Sequence, residues 1–300
     1  MQLDTMRLAV RERNVLDTHD MALQVMRDFF FPWLRAVLLV VVPLMVVNYF
    51  LLGWMTEQQV DQFEGEDFTY RYHVAMALLI YIEAPLLSLP TVIYLGHTVF
   101  LQPVTLKQVA RDLWKATPQI FVCFFLMRGI LPAMLLPLLN DRVFQEGPYW
   151  EMIFLPFIAI YSAALRAFRP FIAEVILLER SPLISRNPNV LSIHKRSGFL
   201  HGPSSGDLLA RWMGATFLAF LLLIVVLSSG ITLQVLLLGM KSSNDLIYLH
   251  FVFPALLWTV AAYESIVRYL EYLDLRIRHE GWEVELLLRA EEMRLREKVA

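Results

Sequence analysis

Cysteine, charge and recognisable ligand patterns are all scarce in this sequence of 300 residues. A single cysteine, Cys123, excludes a disulfide framework and any multi-cysteine metal site. Charged residues make up only 18%, against about 25% in ordinary soluble domains. The formal net charge is −2, so neither a highly charged disordered chain nor a strongly basic nucleic-acid-binding protein fits. No two of the seven histidines stand at the i, i+4 spacing of a helical zinc site, and no HExxH run is present. The glycine-containing turn from Gly202 to Asp207 lacks a Walker lysine, and Ser228 and Ser229 lack the GxSxG elbow of a serine hydrolase. No metal, cofactor, nucleic acid or catalytic residue is expected.

Apolar residues are abundant instead: AVILMFWYC account for 57% and the mean hydropathy is +0.53. A soluble core cannot absorb that much apolar surface without large exposed patches. Crossing the ~30 Å hydrocarbon core takes about 20 residues of helix, and six stretches approach or exceed this. Residues 36–56 and 212–240 carry no charge at all. Residues 74–101 contain one, Glu83, and residues 116–140 contain Arg128. The remaining two run from about 149 to 166 and from 246 to 262. Backbone polar groups in lipid must pair internally, so the spans are helices, and the alternation of barrel strands is missing. The fold expected is an all-α polytopic membrane bundle of six transmembrane helices with cytoplasmic interfacial amphipathic helices.

Lysine and arginine accumulate on the cytoplasmic side of short loops. With six spans, 22 of the 26 fall on the side of the two termini and three (Arg71, Arg142, Lys241) on the other, while Arg128 lies within a span. The termini-bearing side sums to +5 and the opposite loops to −6. Both termini are therefore expected in the cytoplasm, in a cytoplasmic (inner) membrane. The first 29 residues are charged throughout and offer no cleavable h-region, so the first span is expected to direct its own insertion.

A short amphipathic segment precedes each odd-numbered span. Ala22, Val25, Met26 and Phe29 follow an N-cap at Asp17 or Thr18; Leu106, Val109, Ala110 and Leu113 follow Thr105; Leu208, Leu209 and Trp212 follow Ser205 or Asp207. Trp33, Trp114 and Trp212 close these segments beside a basic residue, as headgroup anchors do. One reading is three similar units, each an interfacial helix and a transmembrane hairpin. The other is that any span entered from the cytoplasm acquires such a border. The domain layout expected is residues 1–270 as the membrane domain, with an N-terminal interfacial helix, and 271–300 as a charged cytoplasmic helix.

Charges inside spans are the default candidates for function. Glu83 and Arg128 lie at similar depth from opposite sides and could neutralise each other, either as a substrate site or as an interhelical tie. Glu264 is a third intramembrane candidate, four residues before Arg268.

Two blocks resemble recurring features of bacterial multi-pass proteins. One is Tyr272-Leu-Asp-Leu-Arg-Ile-Arg-His-Glu-Gly-Trp-Glu-Val-Glu285, the other Arg169-Pro-Phe-Ile-Ala-Glu-Val-Ile-Leu-Leu-Glu-Arg180. Their marked residues are Arg169, Glu174, Arg180, Asp274, Arg276, Arg278, Glu280 and Gly281. Together they resemble an uncharacterised six-span bacterial family similar to the membrane domain of glycerophosphoryl diester phosphodiesterase. The catalytic barrel of that enzyme has no counterpart here, so the resemblance implies a fold and no chemistry. The function expected is non-enzymatic: a membrane scaffold or accessory subunit binding membrane lipid, anionic lipid in particular, or a protein partner at its cytoplasmic face. The alternative is a small-molecule or lipid transporter using Arg128 and Glu83.

Overall fold

A computed structural model of the chain describes residues 14–56, 68–98, 104–143, 150–184, 191–238 and 246–280. All regular structure among them is helical. In chain order the helices are α1 (Val15–Leu52), α2 (Phe68–Glu83), α3 (Ser88–Thr98), α4 (Leu106–Lys115), α5 (Thr117–Leu126), α6 (Ile130–Val143), α7 (Trp150–Phe168), α8 (Ile172–Leu177), α9 (Ile193–His201), α10 (Ser205–Leu238) and α11 (Phe253–Glu280). Five helical stretches are long and apolar enough to cross a membrane: Val15–Leu52, Tyr70–Thr98, Trp150–Phe168, Ser205–Leu236 and Tyr248–Arg276. The pair Thr117–Leu126 and Ile130–Leu138, bent by 63°, makes a sixth if counted as one span.

Burial sorts these helices. In the most apolar stretch of α2–α3, 78% of the residues are buried, whereas in that of α10 none is fully buried. Both compositions are equally tolerable in water-free surroundings, so sequence hydropathy does not separate a central helix from a peripheral one. The centre is α2–α3 with α11, which packs on α1, α3 and α10. Proline shapes the centre: Pro85 opens a single 3₁₀ turn (Ala84–Leu87) between α2 and α3, where the Ser88 hydroxyl donates to the Pro85 carbonyl at 2.5 Å. Before Pro254, a π-turn (Tyr248–Val252) lets the Phe253 N–H reach back to the Tyr248 carbonyl.

The expected interfacial helices take three different forms. Only α4 is a separate amphipathic helix, capped by Thr105 and carrying Trp114 largely exposed. The N-terminal one is continuous with the first span in α1, interrupted by a kink at Phe29 (φ −121°, ψ 17°) where the Pro32 ring crowds the preceding turn. Its cap is Asn14, whose side chain accepts from the Asp17 N–H at 2.8 Å, in place of Asp17 or Thr18. Its Ala22 and Val25 are buried, and the Tyr263 hydroxyl pairs with the His19 ring at 3.0 Å, so this face lies against α11. The third segment is the first part of α10. Trp33 also departs from the anchor role. It is buried, and its indole starts a chain of donors linking α1, α3 and α11, to Thr91 Oγ1 (3.2 Å), then to Ser265 Oγ (2.7 Å), then to the Ala262 carbonyl (2.6 Å). A buried tryptophan keeps its N–H only if a partner is supplied.

Helix α11 continues through residue 270, and Tyr269, Tyr272 and Leu275 belong to the same buried core as the other helices. Of the expected charged helix, residues 281–300 lie outside the described residues.

The 63° bend turns on Gly129, whose φ is +78°. An added Cβ would stand 2.9 Å from Ile158 Cγ2 on α7. Gly129→Ala should therefore cost about 1–2 kcal/mol for the left-handed backbone, with the clash adding to it. A lower melting temperature in mild detergent than for a neighbouring control, Met127→Ala, checks this.

Candidate functional site

The sequence-predicted interior charges do not meet. Glu83 sits at the end of α2, fully buried, and accepts from Asn48 Nδ2 of α1 at 2.8 Å. Arg128 stands at the α5–α6 break, also fully buried, and donates to the Arg169 carbonyl at 2.9 Å with its guanidinium 5.0 Å from the centre of the Phe124 ring. The anticipated Arg128–Glu83 pair is thus replaced by two separate ties. The reason is positional: the break turns Arg128 toward the end of α7, where Pro170 stops the helix and leaves carbonyls in need of donors. Asn48, the one amide in the apolar run 36–56, was the available signal for the partner of Glu83.

A further buried tie involves Arg71, which the charge count places on the side opposite the termini. Arg71 Nε and Glu151 Oε1 form an ion pair between α2 and α7, with both side chains almost wholly buried and the guanidinium 5.2 Å from the Trp54 ring centre. Arginine and glutamate near helix ends look identical in sequence whether they face water or each other.

The two signature blocks converge at the end of the bundle where α7 stops and α8, α9 and α10 begin. Glu179 accepts from Arg196 Nε (2.5 Å) and Nη2 (2.9 Å), a two-pronged contact, and from the Tyr272 hydroxyl (3.0 Å). Arg276 Nη1 donates to that same hydroxyl at 3.3 Å. Glu174, fully buried on α8, faces Arg268 of α11 at 4.0 Å. Asp274, fully buried on α11, is 3.1 Å from Arg211 of α10, which also reaches Asp207 at 3.1 Å. Arg169 thus lends its carbonyl to Arg128, while its guanidinium meets His194 Nδ1 at 3.3 Å. Arg180 has a left-handed backbone (φ 51°) in the turn after α8. Gly281 lies outside the described residues, as do the side chains of Arg278 and Glu280.

His201 is bound into the same end. The Phe171 N–H donates to its Nε2 at 3.3 Å, while Nδ1 lies 2.6 Å from the Ser197 carbonyl. Those two partners require a neutral ring protonated on Nδ1. Burial lowers its pKa to about 4, against an ordinary 6.5. Burial likewise pushes the Glu174 carboxyl above its usual range.

Beside this network lies a cavity of 340 Å³ between α2, α7, α10 and α11. It is lined by small and aliphatic residues, among them Ala77, Ala215, Ala219, Leu223 and Ala261, and by the charged residues Arg166, Arg211, Glu264, Arg268 and Glu271. Of the intramembrane candidates only Glu264 lines it; Glu83 and Arg128 do not. Sequence reading missed Arg166, Arg211, Arg268 and Glu271 as site residues, because each sits at a span border where basic and acidic residues are ordinary. The signal present was the i, i+4, i+7 spacing of Glu264, Arg268 and Glu271 on one helix face.

Arg128→Ala should destabilise the protein by on the order of 3 kcal/mol, through the stranded Arg169 carbonyl and the lost packing; thermal unfolding in detergent measures this. For His201, a folded pKa below the unfolded one means stability is full above about 6.5 and falls as the pH drops toward about 4. The slope is at most about 1.4 kcal/mol per pH unit. In His201→Gln the difference in melting temperature between pH 7 and pH 5 should shrink.

The chain matches no protein-family model, no curated protein and no solved structure.

Proposed function

We propose that the chain is a non-enzymatic, six-span protein of a bacterial cytoplasmic membrane, with both termini in the cytoplasm, acting as a scaffold or accessory subunit. The observation carrying this is the charge asymmetry: 22 of 26 lysines and arginines fall on one side of the six apolar stretches. The residues that draw in the basic end support it. Arg128, Arg211 and Glu179 are engaged with protein groups that tie helices to one another, which is the work of a fixed platform. That end is the surface offered to membrane lipid or to a protein partner. Its two signature blocks carry the proposed kinship with the membrane domain of glycerophosphoryl diester phosphodiesterase.

The transporter alternative called for a shared cavity at Arg128 and Glu83. The cavity between α2, α7, α10 and α11 is lined by neither residue.

Single-cysteine accessibility tests the arrangement, after Cys123→Ser. Gln62→Cys and Ser243→Cys should react with a membrane-impermeant maleimide in intact spheroplasts. Asn187→Cys and Glu291→Cys should react only after the membrane is opened. Labelling of Asn187→Cys in sealed spheroplasts would reverse the orientation.

A further inference from the structure

The cavity between α2, α7, α10 and α11 is lined by apolar residues and by charged groups of both signs, several of which keep a polar atom without a hydrogen bond among the described residues. Along α11 the lining residues Leu257, Val260, Glu264, Arg268 and Glu271 follow one helix face. From Leu257 to Glu271 that face covers about 21 Å, more than half of the ~30 Å hydrocarbon core. The opposite wall on α10 is thinned by Ala215 and Ala219, and largely exposed Phe220 stands at its edge. Glu264 stands midway along that face, so the polar groups fill the half toward Glu271 and apolar residues the half toward Leu257, an order that suits one leaflet's amphiphile. Its 340 Å³ is within the ~300–1,000 Å³ of ligand pockets.

The charged end decides the headgroup. Arg211 is already neutralised by Asp207 and Asp274, both at 3.1 Å. Arg268 faces Glu174 at 4.0 Å, beyond hydrogen-bonding distance, and its Nε is buried with no hydrogen-bond partner. Arg166 donates to the Tyr81 carbonyl and lies over the Tyr81 ring, and its Nε is likewise without a partner. Among the described residues Glu264 Oε1 and Glu271 Oε1 are buried acceptors with no hydrogen-bond donor, and Glu271 lies within the field of Arg211 and Arg268. A bare anion would satisfy the guanidinium N–H groups and supply no donor to either carboxyl. A zwitterion satisfies both sets, since phosphate oxygens accept from arginine and a primary ammonium has three N–H donors for carboxylate oxygens.

We propose that this cavity binds an aminophospholipid of the phosphoethanolamine class, its phosphate on Arg166 and Arg268, its ammonium on Glu264 and Glu271, and one acyl chain between α10 and α11. The proposal rests on the membrane arrangement above and narrows the expected lipid from an anionic to a zwitterionic one.

Lipid retention by the full-length protein in mild detergent tests it, read by native mass spectrometry against equimolar phosphatidylethanolamine, phosphatidylglycerol and phosphatidylcholine. Phosphatidylethanolamine should be retained about tenfold over each of the others, since phosphatidylglycerol lacks the ammonium and the choline headgroup has no N–H. Glu264→Gln/Glu271→Gln should lose the preference over phosphatidylcholine, and Arg268→Gln should weaken retention of all three. Soluble phosphoethanolamine should not displace the lipid, because it leaves the apolar channel empty. Equal or tighter binding of phosphatidylglycerol, no discrimination against phosphatidylcholine, or displacement by soluble phosphoethanolamine overturns the site. The wild-type competition decides even where a variant fails to fold. Cysteine accessibility reports the membrane arrangement separately, so correct labelling without lipid preference removes this site and leaves the wider reading standing.

Discussion

A buried guanidinium at a broken helix holds together the basic end of this bundle. Backbone groups in a water-free interior must find partners within the protein, and the chain breaks its own helices at two adjacent places. Gly129 turns α5 into α6 through a left-handed residue, and Pro170 ends α7. Arg128, next to the first break, reaches the Arg169 carbonyl at the second. One side chain thereby ties the two breaks and fixes where α8 begins. Everything downstream at this end depends on that placement: Glu174 opposite Arg268, Glu179 opposite Arg196 and Tyr272, and the ring of His201 stacked on Phe171.

The same requirement explains how the bundle uses polarity elsewhere. Asn48 on Glu83, Arg71 on Glu151, and the donor chain from Trp33 through Thr91 and Ser265 each join two or more helices. Between apolar helices in lipid the hydrophobic effect supplies little discrimination, so packing and such polar contacts set which helices are neighbours. The cavity is the exception. There the small residues of α10 leave room, and Arg166, Arg211, Glu264, Arg268 and Glu271 line the space.

Helix positions were readable because the apolar runs are long and the breaks are marked by proline and glycine. The inward direction of Glu83 and Arg128 was readable too, since charge within a span must be sheltered. Their partners were not, because a partner depends on which helices are adjacent and at what height. The misreadings share that origin. Trp33 has the composition of a headgroup anchor yet is enclosed by α3, and the N-terminal amphipathic segment meets α11 where an interface with lipid was expected. Arg71, counted with the loops on the side opposite the termini, pairs with Glu151 because α2 and α7 stand side by side.

Composition by itself determined a helical, apolar architecture, because the cost of burying backbone groups is local to each stretch of chain. Only the tertiary structure decided that α2–α3 is central and α10 peripheral, that the two signature blocks meet at Tyr272 and Glu179, and that Arg166, Arg268, Glu264 and Glu271 surround one cavity. Those are properties of distance between segments far apart in sequence, and no single segment carries them.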